Sequence, residues 1–192
     1  MKKLLSEIRN CRACEEFLAH GVNPVVAASP KSRIVIIGQA PGTKVHASGI
    51  PWNDKSGDNL RSWLGVSKEQ FYDTNLFALV PMGFCYPGKG TSGDLPPRTE
   101  CAPLWHGKLW KFMKNVELTL LVGQYAQEFY LGKNAKATLT ENVKHFREYL
   151  PKYFPLPHPS PRNFLWMKRN PWFAEEALPV LKRKVKKILE KD

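Results

Sequence analysis

Three short apolar runs separated by stretches of helical periodicity constrain this chain more than any single motif. Ile34–Ile37 in "RIVIIG", Leu76–Val80 in "NLFALVP" and Leu118–Val122 in "LTLLVG" are continuous rather than alternating. A strand that is apolar at every residue is buried on both faces, as in a parallel sheet covered by helices. A fourth run, Tyr153–Leu156 in "KYFPLP", is interrupted by Pro155, which suits an edge strand. Between the runs, apolar residues recur at helical spacing over Asp58–Leu64, Cys101–Lys114, Tyr125–Leu131, Glu141–Tyr149 and Glu175–Leu189. The alternation predicts an α/β fold, and 192 residues without a repeat or linker predict one domain over 1–192.

In such sheets the ligand-handling loops lie beyond the carboxyl ends of the strands. Three of those ends carry unusual residues: "GQAPG" after the first run, "VPMGFCYPG" after the second and "HPSPRN" after the fourth. They are expected to share one rim. In "GQAPG", Gly38 and Gly42 permit tight turns and close approach to a ligand, while Pro41 stiffens the loop. The spacing matches neither a dinucleotide fingerprint nor a P-loop, which argues against a nucleoside-triphosphate enzyme. Downstream, "GIPW" offers Trp52, a flat ring that either joins the core or stacks on a base. In "PLPHPSPRN", four prolines in seven residues bias Leu156, His158 and Ser160 away from helix. The segment is either a stiff connector or a holder for an imidazole and a hydroxyl.

Charge and cysteine usage narrow the partners. Lys and Arg outnumber Asp and Glu by 29 to 17, a net charge of +12 that favours polyanions, nucleic acid first among them. No apolar run is long enough to span a bilayer and "MKKLLSEIRN" lacks a signal peptide's apolar segment, so a cytoplasmic protein is expected. Cys11 and Cys14 form a C-x2-C pair; Cys85 and Cys101 follow far downstream, separated by fifteen residues. Four thiols in a cytosolic chain suit a [4Fe–4S] cluster or a structural zinc, and unrelated thiols remain an alternative.

Taken together, these pieces resemble the uracil-DNA glycosylase superfamily, and most of all its family-four iron–sulfur branch. "GQAPG" resembles the family's first active-site motif, "GIPWNDKSG" the segment supplying its base-stacking aromatic, and "HPSPRN" its His-Pro loop. The cysteine pattern resembles the branch's cluster ligands, so Cys11, Cys14, Cys85 and Cys101 would hold a [4Fe–4S] cluster. The resemblance implies a three-layer sandwich with a four-stranded parallel sheet flanked by helices. It implies that Gly38, Gln39 and Ala40 line a uracil pocket, Trp52 stacks on the base and His158 donates to the uracil O2. Asn75 would read the base edge, Ser160 would contact a phosphate, and the protein would act as a monomer on DNA carrying uracil or another damaged base. Arg162 follows as a second phosphate contact, with Phe164 or Leu165 as a wedge filling the gap left by the flipped base.

The chain departs from the pattern at the water. "GQAPGTKVH" contains no acidic residue to position the attacking nucleophile. Asp54 is the candidate just downstream, followed by Asp58, and a helix cap is the alternative role for either. Three activities follow: base excision from DNA, damage binding without turnover, and hydrolysis of a free nucleoside or nucleotide.

Overall fold

The computed structural model describes residues 1–91 and 93–191. Four parallel strands form one sheet in the order β2-β1-β3-β4, with β1 over Ile34–Ile37, β2 over Phe77–Leu79, β3 over Leu118–Val122 and β4 over Tyr153–Leu156. Register is continuous across the central pair, Ile34 opposite Leu118 through Ile37 opposite Leu121. β1 and β3 are buried at every residue, which is why their sequences are unbroken apolar runs. β4 lies at the edge and pairs only with β3, and there Pro155 sits opposite Leu121 without leaving an inner strand short of a donor.

Helices cover both faces. α3 (Lys55–Leu64) and α9 (Leu178–Leu189) pack on one face, where Leu60, Leu64, Leu181 and Val185 meet Ile34, Ile36 and Leu120. α1 (Lys2–Arg9), α5 (Gly107–Phe112) and α6 (Gln124–Leu131) cover the other, with Leu4, Ile8, Leu109 and Ala126 against Val35, Ile37 and Leu121. Odd and even residues of β1 thus feed different cores, as the strand pleat requires.

The periodic segments form helices with shifted limits. α3 begins three residues earlier than expected because Asp54 caps it, its Oδ1 accepting the Gly57 amide at 2.9 Å. The expected helix Glu141–Tyr149 divides into α7 (Leu139–Lys144) and a 3₁₀ turn, Phe146–Tyr149, that stacks Phe146 on Phe154 with centroids 4.6 Å apart. Three short helices had no counterpart in the periodicity: α2 (Thr43–Ser48), α4 (Lys68–Tyr72) and α8 (Phe164–Arg169). Among the described residues, no helix is long and apolar enough to cross a membrane.

Candidate active site

A cavity of about 360 Å³ opens at the carboxyl ends of the strands. Its wall combines Gly38–Gly42 after β1, Pro81 after β2, and His158, Ser160 and Arg162 after β4. Trp52 and Asp54 complete it from the turn before α3. The three loops expected to share a rim therefore do so, at the place where strand order reverses around β1.

Trp52 is held in an unusual backbone state, the one non-glycine residue with positive φ (57°) among those described. Such a conformation costs roughly 1–3 kcal/mol and persists only where surrounding structure enforces it. Here the carbonyl of Pro51 accepts from the Tyr72 hydroxyl at 3.0 Å, and the Trp52 carbonyl accepts from Arg61 at 3.5 Å. Gly57, inside α3, leaves room for that carbonyl: a Cβ built there would lie 1.8 Å from the Trp52 oxygen. Gly38 does the same for the ring, with a hypothetical Cβ 2.7 Å from Trp52 Cζ2. The indole so placed stands 5.9 Å from the His158 imidazole, centroid to centroid.

The protonation of His158 follows from its neighbours. The backbone N–H of Ser160 donates to Nδ1 at 3.2 Å, so Nδ1 is an acceptor and the ring proton resides on Nε2. Burial holds the pKa below the usual histidine range, against the opposing pull of Asp54 and Asp94. The side chain is thus a neutral imidazole lining the cavity with an N–H to give. Two amides fix its loop: Asn59 on α3 donates to the Pro159 carbonyl at 2.8 Å, and Asn163 donates to the His158 carbonyl at 2.7 Å. Ser160 also accepts the Arg162 amide at 3.3 Å, starting the turn that leads into α8.

The other expected site residues divide. Gly38, Gln39 and Ala40 line the cavity; the carbonyls of Gly38 and Gln39 are occupied by the amides of Met82 and Gly83. The Gln39 side-chain amide has no hydrogen-bond partner among the described residues. Asp54 lines the cavity while capping α3, so the cap and the cavity wall are one residue. Asn75 is a correction. It precedes β2, at the amino end of the sheet, where its side chain accepts from Ser29 at 3.3 Å. The cavity lies at the opposite ends of the strands, so Asn75 does not face the base. Phe164 and Leu165 are 68% and 61% exposed, whereas Trp166 and Met167 beside them pack on the core. Core packing therefore accounts for the second pair and leaves the first facing solvent.

Several cavity residues were not anticipated, Asp94 and Leu95 among them. Asp94 and Leu95 come from the loop after β2, which turns back so that Lys89 and Asp94 form a bridge. No local pattern in "GKGTSGDLPP" marks them; only the fold brings them to the rim.

All four cysteines are free and line a second, small cavity with Leu18, Phe84, Arg98 and Trp105. Burial raises the thiol pKa of Cys14 and Cys85 and pushes that of Cys101 up to about 12, with the other cysteines adding repulsion. Arg98 lies at the same cavity, and its positive charge opposes the rise at Cys14. Trp105 Nε1 and Arg98 Nε are buried without a hydrogen-bond partner among the described residues. No three His, Cys, Asp or Glu side chains among those residues converge closely enough to hold a single metal ion.

A parallel α/β sheet whose carboxyl rim sets an aromatic face beside a neutral imidazole donor defines a protein built to hold a flat polar ring. Residues 26–182 match the uracil DNA glycosylase superfamily, and the chain belongs to that superfamily. It is also similar to a protein named type-4 uracil-DNA glycosylase from Sulfurisphaera tokodaii, 22% identical over 173 residues, which cover 83% of this chain and 74% of the relative.

Proposed function

We propose that this protein hydrolyses the N-glycosidic bond of uracil, or of a related deaminated base, in DNA. The observation that carries this reading is the neutral His158 with its proton on Nε2, held by Ser160 and facing the same cavity as Trp52. A base buried in a duplex must rotate out of the stack before it can be cut, and an indole face offsets the stacking it loses. As the bond breaks, negative charge spreads onto the uracil O2. A donor already in place there contributes roughly 3–4 kcal/mol, since nothing needs to reorganise. A neutral imidazole suits this role; an imidazolium would hand over its proton instead. The free Gln39 amide supplies a donor and an acceptor for the base edge, the part expected of Asn75. Ser160 and Arg162, both on the cavity rim, would contact a phosphate flanking the flipped nucleotide, and exposed Phe164 or Leu165 would fill the vacated stack.

The cysteine cavity supports a [4Fe–4S] cluster held by Cys11, Cys14, Cys85 and Cys101. The four thiols line one cavity, and soft thiolate ligands suit an iron–sulfur cluster, with zinc the alternative. An anionic cluster would draw the thiols to thiolates, and its sulfurs would accept the orphaned Trp105 and Arg98 donors. When bound, the cluster ties the segment after α1 to the loop after β2. We take the protein to act as a cytoplasmic monomer.

The test is release of free uracil from a uracil-containing oligonucleotide by the protein as isolated, with His158→Ala and Trp52→Ala as controls. Loss of on the order of 10²–10³-fold in rate is expected for His158→Ala. DNA binding without base release, across a panel of deaminated bases, would replace excision by damage binding. Faster turnover of free nucleosides than of DNA would move the substrate to monomers.

A further inference from the structure

The reading above leaves the attacking water without a holder, since the motif after β1 offers Gln39 where a carboxylate would serve. The cavity wall itself contains two carboxylates, Asp54 and Asp94. Both line the same cavity as His158. They are not equivalent. Asp54 is a helix cap whose Oδ1 accepts the Gly57 amide at 2.9 Å. Such a bond fixes the carboxylate to α3 and occupies one of its oxygens.

Asp94 is differently placed. Its loop is closed by two backbone bonds, Gly90 to the Gly93 carbonyl at 2.6 Å and Leu95 to the Gly88 carbonyl at 2.9 Å. These set the residue over the "GQAPG" turn, where Oδ2 lies 3.3 Å from the position a Cβ on Gly42 would take. Any side chain at 42 would press on the carboxylate. On its other side the Tyr86 hydroxyl stands 3.5 Å from Oδ1, at the weak limit of a hydrogen bond. Tyr86 is itself buried, with its ring flanked by His20 at 5.1 Å and His46 at 5.8 Å. The carboxylate is thus steered from two sides, yet among the described residues no strong donor uses its lone pairs. The same loop approaches the His-Pro segment, since a Cβ on Gly93 would lie 3.2 Å from an Arg162 guanidinium nitrogen.

We infer that Asp94 is the catalytic carboxylate of this site, holding the water that attacks the sugar. The inference rests on the proposed glycosylase activity and names the residue that activity lacks. As the C1′–N1 bond breaks, its electron pair leaves with the uracil, whose developing charge His158 receives. The Asp94 carboxylate stabilises the positive charge on the sugar and orients the water. The water oxygen bonds to C1′ and its proton passes to Asp94, which then releases it to solvent. The products are an abasic deoxyribose and a uracil anion that takes up a proton, so atoms and charge balance with water as the sole co-reactant.

The experiment compares wild type, Asp94→Asn and Asp54→Asn by single-turnover excision, by affinity for the same uracil-containing oligonucleotide, and by thermal melting. Asp94→Asn is expected to lose on the order of 10²–10⁴-fold in the chemical step. Its DNA affinity should be unchanged or tighter, since a negative charge near the phosphates is removed, and its melting temperature should be close to wild type. Asp54→Asn keeps a side-chain oxygen for the Gly57 amide, so its melting temperature should also stay close to wild type while its rate falls far less. If Asp94→Asn excises within about threefold of wild type, or if rate and affinity fall together as they would for a merely structural loop, the assignment is overturned. If wild type releases no base, the glycosylase reading falls and takes this one with it, a result distinct from an active wild type with an active Asp94→Asn.

Discussion

Gly57→Ala tests how Trp52, the aromatic wall of the cavity, is held. The added Cβ would lie 1.8 Å from the Trp52 carbonyl oxygen and 2.7 Å from its carbonyl carbon, whereas real Cβ atoms keep at least 3.0 Å. The gap must therefore open by about 1.2 Å, and both partners are backbone: one inside α3, the other in a residue already forced to φ 57°. Neither has a rotamer through which to escape. Overpacking of this kind costs roughly 1–3 kcal/mol. At about 2–4 °C per kcal/mol for a chain of this size, the melting temperature should fall by roughly 2–12 °C. The effect on excision should be larger than the effect on folding. A shift of ~1 Å at a reacting centre costs on the order of 10²-fold, and the indole is carried by the displaced residue. Gly38→Ala is the comparison, because its Cβ meets only the edge of the indole ring, at 2.7 Å, and the ring can tilt. Single-turnover excision and thermal melting of both variants decide the matter. If Gly57→Ala folds and excises like wild type, the claim that α3 sets the Trp52 position is wrong.

His106 makes the fold acid-sensitive. It is 2% exposed and its pKa is lowered to about 4 by burial, so at pH values between about 6.5 and 4 the unfolded chain binds the proton and the folded one does not. This contribution is complete above pH 6.5 and is lost at about 1.4 kcal/mol per pH unit as the pH falls toward 4; urea melts from pH 7 to 4.5 should show that slope, and His106→Gln should flatten it. Asn59→Ala removes the bond from α3 to the Pro159 carbonyl, so a stability loss of about 1 kcal/mol should accompany a clear drop in excision rate; an unchanged rate would show that the prolines hold the His158 loop unaided. Phe164→Ala and Leu165→Ala touch solvent-facing side chains, so stability should stay within about 0.5 kcal/mol while excision from double-stranded DNA falls more than from single strands; equal losses on both substrates would exclude a wedge.

The sheet was legible because burial on both faces leaves a simple trace, four apolar runs whose observed limits differ by at most one residue at either end. α1 was legible too, since Leu4 and Ile8 stand one helical turn apart and both are buried, but that segment was weighed only as a targeting signal. α2 and α8 are six residues each, too short for a period to show. His158, Trp52 and the "GQAPG" turn stood out because stiff or flat residues in glycine- and proline-rich loops are locally unusual. Asn75 was attractive for its chemistry, yet it precedes its strand, and the rule that functional loops follow parallel strands already argued against it. Asp94 left no trace and Tyr86 stood out only within "VPMGFCYPG", because their place at the rim depends on how one long connection folds back over another loop.

That connection, from Pro81 to Arg98, explains why the two cavities belong to one design. Its first residues are tied under "GQAPG", with Met82 and Gly83 donating to Gly38 and Gln39. Cys85 then faces the cysteine cavity, and the next residue, Tyr86, reaches Asp94 at the base cavity. Leu95 and Asp94 return to the rim, and Arg98 brings the path back to the cysteine cavity. A segment rich in glycine and proline has little regular structure of its own to hold such an arrangement. Its shape is set by what grips it at each end: the β1 loop on one side and the cysteine cavity on the other. A group binding the four thiols would thus stabilise the loop that carries Asp94 while lying outside the reaction itself.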